Sequence, residues 1–160
     1  MSEATTQTRT DEQLSCLMIH LDKNNLLLPN VSVAEVIHFM QPVPVDETPN
    51  WYLGKIEWRG LNIPLVSYEG VVDQSLGQPA LNRNVRIAIC NNVSGKKELP
   101  FFALLIQGIP KSLKVKPEDL KHSEKQPNLS RVEEMTVATI LGQATIPDME
   151  YLETLIIRAS

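Results

Sequence analysis

Residues 55–66 constrain the fold more than any other stretch, because they alternate residue by residue on both sides of a glycine. Ile56 and Trp58 fall on one side of the first run, and Lys55, Glu57 and Arg59 on the other; Ile63 and Leu65 share a side of the second. Period-two alternation across the two-residue connection Gly60-Leu61 predicts a β-hairpin with one buried face. A slip of one residue would exchange the two faces, so the pattern puts Trp58 in the core and the Arg59 guanidinium outside. Gly54 and Gly60 bracket the first strand, where a left-handed backbone or a close neighbour requires a residue without Cβ.

The rest of the chain is read by the same rules. Ser15–Leu21 alternates, Asp22–Asn25 is a polar turn, and Leu26-Leu27-Leu28 starts a strand that Pro29-Asn30 interrupts. Val31–Phe39 is a β-branched strand with Glu35 among Val33, Val36 and Ile37. Pro42, Pro44 and Pro49 force an extended connection over Gln41–Asn50, and Ser67–Val72 suits one helical turn. Asp73–Asn84, with Gly77 and Pro79, carries the strongest boundary signal. Beyond it Val85, Ile87 and Ile89 alternate, and Val93–Leu99 is a polar connection. Pro100–Ile106 is continuously apolar, hence a strand covered on both faces. Gln107-Gly108 is expected to end that strand, with Leu113 and Val115 in a new one. Pro117–Arg131 reads as a Lys-rich surface loop. Met135–Leu141 and Ala144–Ile146 pair around Gly142-Gln143, and Asp148 caps a helix in which Met149, Leu152 and Leu155 recur at helical spacing.

The two halves look alike. Each has an apolar run broken by a turn, a Val/Ile-rich strand and proline-bearing segments, and each closes on a Gly-centred strand pair ending Ile-Pro: Ile63-Pro64, then Ile146-Pro147. Many short strands and few helices predict an all-β fold of two similar small β-barrels. The expected organisation is a disordered polar tail over residues 1–13 and one domain over 14–157. The domain divides into subdomains at about 14–83 and 84–157, and whether strands exchange between them stays open.

Composition removes several function classes. A net charge of −4 with mixed signs gives no phosphate-tracking surface, so nucleic acid is not an expected partner. No apolar run approaches the roughly 20 residues of a membrane helix, and the tail has no hydrophobic signal region. Direct membrane insertion is not expected. Cys16 and Cys90 lie in apolar runs without metal-type spacing and read as buried free thiols. His20, His38 and His122 have no second ligand at metal spacing, no Gly-rich phosphate cradle exists, and Glu118-Asp119 and Glu133-Glu134 read as solvated surface. No catalytic residue, metal site or cofactor is expected. A binding surface remains, with Arg59 projecting beside Gly60; the plainer alternative is that Arg59 merely pairs with Glu57 or Glu35 on the outer face.

The spacing Leu53-Gly54-x-Ile56-x-x-Arg59-Gly60-x-x-Ile63-Pro64-Leu65 resembles the signature of CheW-like domains, the coupling proteins of bacterial chemosensory arrays. Leu28–Val36, Leu105–Ile109 and Val137–Ile146 are similar to three further family blocks in the right order, so the resemblance spans Leu14 to Leu155. It implies two SH3-like five-stranded β-barrel subdomains around a shared core, with a short C-terminal helix. It also implies a non-catalytic cytoplasmic adaptor, recruited to membrane-associated receptor arrays. Its partners would be the regulatory domain of a CheA-type histidine kinase and the cytoplasmic tip of a methyl-accepting chemoreceptor. By position, Val33, Glu35, Gly54, Arg59, Gly60, Gly108 and Gly142 match partner-binding residues, with Arg59 and Glu35 on the receptor side. The chain departs from the family pattern at Leu65–Glu69, at Gln107 where an acidic residue is common, and at Asp148-Met149-Glu150. These departures imply a divergent member serving a non-flagellar output such as type IV pili. Two alternatives stay open: a module that sequesters the kinase or competes without bridging, and a small-molecule-binding β-barrel.

Overall fold

The computed structural model describes residues 13–79, 81–116, 118 and 131–160. The expected disordered tail, apart from residue 13, and most of the Pro117–Arg131 loop lie outside the described residues. Nine strands are present among them: β1 (Leu14–His20), β2 (Asn25–Pro29), β3 (Val33–His38), β4 (Tyr52–Trp58), β5 (Leu61–Val66), β6 (Val85–Asn91), β7 (Phe101–Val115), β8 (Glu133–Thr139) and β9 (Gly142–Pro147). Helix α1 (Tyr68–Val72) follows β5 and helix α2 (Met149–Ala159) follows β9. The all-β reading with minor helix holds, and Asp148 caps α2 as expected, its Oδ1 accepting the Tyr151 N–H at 3.0 Å.

The expected pair of closed five-stranded barrels does not form. Hydrogen bonding joins the nine strands into one sheet of order β3-β6-β7-β1-β2-β9-β8, with β5 on β7 and β4 on β5. Among the described residues no ladder links the outer strands β3, β4 and β8 to one another, so the sheet stays open. Two physical reasons account for this. Gln107-Gly108 does not end a strand: Gly108, at φ 72°, lets the backbone bulge, and β7 runs on for fifteen residues. The pairing steps from His20 with Gln107 to Met18 with Lys111, so the surplus residues of β7 are absorbed locally. One strand therefore serves both halves. The second reason is proline: beside β4, Val43 makes a single bridge to Lys55, and Pro42 and Pro44 have no N–H with which to extend it.

The halves of the sequence are interlaced. β3 pairs with β6, and β5 lies parallel to β7 with Leu65 opposite Ala103. Reciprocally, the distal part of β7 pairs with β1, and β9 lies parallel to β2 with Leu26 opposite Thr145. The continuously apolar run at the start of β7 is explained by burial on both faces. Phe102, Leu104 and Ile106 enter one cluster with Tyr68, Leu152 and Ile156, while Ala103 and Leu105 enter another with Ile56, Trp58 and Ile87. A third cluster gathers Cys16, Met18, Leu27, Leu113 and Val137. Both cysteines are free and buried as expected; burial, reinforced by the charge of Glu153, pushes the Cys90 thiol up to about 12.

Each helix holds a turn of the sheet through a glutamate. Glu69 of α1 accepts the backbone N–H groups of Asp22 and Lys23 at 2.8 and 2.9 Å. Glu153 of α2 accepts those of Val93 and Ser94 at 2.7 and 3.3 Å, and the Ser94 hydroxyl at 2.6 Å.

Candidate functional site

The hairpin turn falls one residue earlier than the alternation suggested. Trp58 pairs with Leu61, so Arg59-Gly60 forms the two-residue loop. Both have positive φ, 48° and 79°, the geometry that twists with the flanking strands. An arginine there costs about 1 kcal/mol of backbone strain. Its side chain offsets much of that by stacking: the guanidinium carbon sits 4.7 Å from the centroid of the Trp58 ring.

Trp58 anchors the assembly. Its ring is buried, meets Phe101 edge-on at 4.9 Å, and donates its indole N–H to Glu35 Oε1 at 2.9 Å. Arg59 Nη2 reaches the same oxygen at 3.3 Å. The plainer expectation of an Arg59–Glu35 pair is met, yet the pair is far from closed off, since the side chains are 69% and 41% exposed. An ion pair so exposed contributes at most about 1 kcal/mol to stability. It leaves much of the guanidinium fork and part of the carboxylate open to solvent. A bulge positions Glu35: Val33 lies opposite Cys90 but Glu35 lies opposite Ile89, leaving Ala34 as the extra residue.

Glu35 of β3 thus comes together with Arg59 and Gly60 of the hairpin tip, with Val33 half-buried two residues before it on β3. Gly54 is buried in β4 at φ 137°, and a Cβ there would collide with the Val43 carbonyl and approach Pro42. Gly108 sits on β7 beside Asn84, to whose carbonyl it donates at 2.6 Å, toward the opposite end of β6 from Glu35's partner Ile89. Gly142 lies at the start of β9, near the far side of the sheet, at φ 115° with open space where a side chain would stand. The turn before it is Ile140-Leu141 rather than Gly142-Gln143.

Two residues escaped the sequence reading. Trp58 was assigned to the core alone, although a buried indole needs an acceptor, and Glu35 was the carboxylate standing in a β-branched strand. Glu153 is fully buried on the inner face of α2, beside Leu152 and three residues before Ile156. A charge within that apolar stripe was the available signal. Among the described residues no three His, Cys, Asp or Glu side chains are grouped to hold a metal ion, and no helix is long and apolar enough to cross a membrane.

Comparison with known proteins fits this architecture. The crystal structure of the scaffolding protein TtCheW from Thermoanaerobacter tengcongensis matches with a TM-score of 0.68 at 18% identity, covering 85% of this chain and 89% of that one. At that identity the likeness shows the fold. No curated protein matches the chain by sequence. The CheW-like domain profile matches residues 15–154, nearly all of the domain. The chain therefore belongs to the CheW-like domain family and is a non-catalytic, adaptor-type domain rather than an enzyme.

Proposed function

We propose that this protein couples a methyl-accepting chemoreceptor to a CheA-type histidine kinase, with residues 14–157 as the working unit and 14–83 and 84–157 as its two halves. The observation that carries the reading is the exposed Arg59–Glu35 pair held over Trp58 on a two-residue turn. A guanidinium fixed by its own ring platform is pre-organised, so little side-chain entropy is lost when a partner binds. The receptor tip is assigned to Glu35, Arg59 and Gly60, with Val33 at its edge. Gly54 supports that surface from beneath, and Gly108 and Gly142 belong to the side assigned to the kinase regulatory domain. The protein acts in the cytoplasm, drawn to receptor arrays by its partners. The departures at Leu65–Glu69 and Gln107 favour a non-flagellar output such as type IV pili.

The test is reconstitution with the purified kinase and receptor fragment from the same cell. Arg59→Ala and Glu35→Ala are expected to weaken receptor binding at least about tenfold, as for hot-spot truncations, while kinase binding stays unchanged. Glu35→Ala also lowers the thermal midpoint, because the buried Trp58 indole loses its acceptor. Glu35→Gln, which keeps an acceptor oxygen, separates the two effects. Unaltered receptor affinity in both alanine variants would overturn the site. Binding of kinase without receptor would replace bridging by sequestration.

A further inference from the structure

The segment from Gln41 to Asn50 borders a half-open cavity lined by none of the residues assigned to partner binding. It is tied to β4 at both ends: Tyr52 donates to the Pro49 carbonyl at 3.0 Å, and Val43 and Lys55 exchange backbone hydrogen bonds of 2.8 and 2.9 Å. With prolines on both sides of that bridge the segment arches away. The Thr48 hydroxyl, donating to the Val45 carbonyl at 2.8 Å, stiffens the arch. Under it lies a cavity of about 300 Å³. Tyr52, which lines it, is buried, whereas Leu81 is 53% exposed, so the two mark floor and mouth.

We propose that this cavity binds a small uncharged aromatic molecule carrying one hydrogen-bonding group, an indole-like or phenol-like ring. Its volume stands at the lower end of the range of roughly 300–1,000 Å³ for ligand sites, which admits one or two fused rings. None of its lining residues is charged, so a carboxylate or ammonium would be desolvated without a partner. Pro42, Pro44, Pro49 and Pro79 contribute apolar pyrrolidine rings to the lining, the inverse of the aromatic-lined grooves that hold proline. Phe39 and Tyr52 add aromatic surface, and the side-chain amides of Gln41, Asn50 and Gln78 can satisfy one N–H or O–H.

The test is a titration of the full chain with indole, followed by amide ¹H–¹⁵N correlation spectra. Saturable shifts are expected in residues 39–53 and 78–81, with a dissociation constant on the order of 1 mM, in keeping with a ligand of about nine non-hydrogen atoms. Indole-3-acetate, the same ring with a carboxylate, should bind at least about tenfold more weakly. Leu81→Ala, at a half-exposed position, should weaken indole about fivefold while leaving distant resonances in place. Arg59→Ala should leave the titration unchanged, which separates this site from the receptor surface. The proposal is overturned by scattered or non-saturating shifts up to about 10 mM indole, by equal affinity for the two ligands, or by unchanged affinity in Leu81→Ala.

Discussion

The two halves of this protein are built alike and finished differently. Each ends in an antiparallel hairpin whose second strand lies parallel to a strand of the other half, and each hairpin leads into a helix capped by a side chain, Ser67 or Asp148. Each helix then uses a glutamate to hold two successive N–H groups of a turn. The first hairpin closes on Arg59-Gly60, both left-handed, with the arginine stacked and paired. The second closes on Ile140-Leu141, where Thr139 stitches the turn by accepting the Leu141 N–H at 3.1 Å and donating to the Gly142 carbonyl at 2.7 Å. Ile140 is 92% exposed. One topology thus presents a charged, aromatic-backed tip in one half and a bare apolar tip in the other. Recognition chemistry follows from what occupies the turn, not from the strand order beneath it.

The comparison can be broken most severely at its glycines. Gly54→Ala forces a Cβ into the Val43 backbone at a left-handed φ and should cost about 4 kcal/mol or prevent folding. Gly142→Ala carries only the conformational strain, about 1–2 kcal/mol, because its space is open. Urea melts of the two variants would measure the difference; equal losses would show that packing at Gly54 is not the cause.

The helix glutamates come next. Glu153→Ala removes a fully buried acceptor that holds three partly buried donors and should cost about 3 kcal/mol. Glu69→Ala, at a turn open to water, should cost about 1 kcal/mol. A loss for Glu69→Ala that matched Glu153→Ala would mean that burial does not set the scale.

Alkaline pH probes the buried thiol beside Glu153. Cys90 is an acid whose folded value, about 12, lies above its ordinary 9.0. Its contribution to stability is therefore complete below pH 9 and is lost as pH rises through that window, by about 1 kcal/mol at pH 10. Cys90→Ala should remove that slope. Smallest of all, Arg59→Ala should cost no more than about 1 kcal/mol and Ile140→Ser under about 0.5 kcal/mol, since both side chains are exposed. Their effects belong in binding assays.

Period-two alternation made most strands legible, because burial of one face leaves its mark on every second residue. Continuous apolarity at Pro100–Ile106 gave the two-faced burial of β7. What misled was glycine. The pattern alone puts Gly60 and Gly142 at hairpin centres and Gly108 at a strand end, yet each is a residue of positive φ whose neighbours decide its role. Arg59 joins Gly60 in one turn, Gly142 follows another, and Gly108 bends a strand without ending it. Barrel closure was inferred from strand number, whereas closure depends on edges, and the prolines beside β4 leave that edge with one bridge. At the site, Arg59 and Glu35 were readable as exposed charges. Their common anchor on the Trp58 indole was not, because a side-chain bond between β3 and β4 has no periodic trace.

The interlacing also has a consequence in time. Leu65 cannot find its parallel neighbour until Ala103 has been synthesised, and Leu26 must wait for Thr145. A nascent first half leaves the ribosome with strands whose partners do not yet exist, which is the situation that invites pairing with the wrong chain. Contacts so distant in sequence make folding slow, and in a translating cell that delay is a window in which the unpaired edges of the first half stand open.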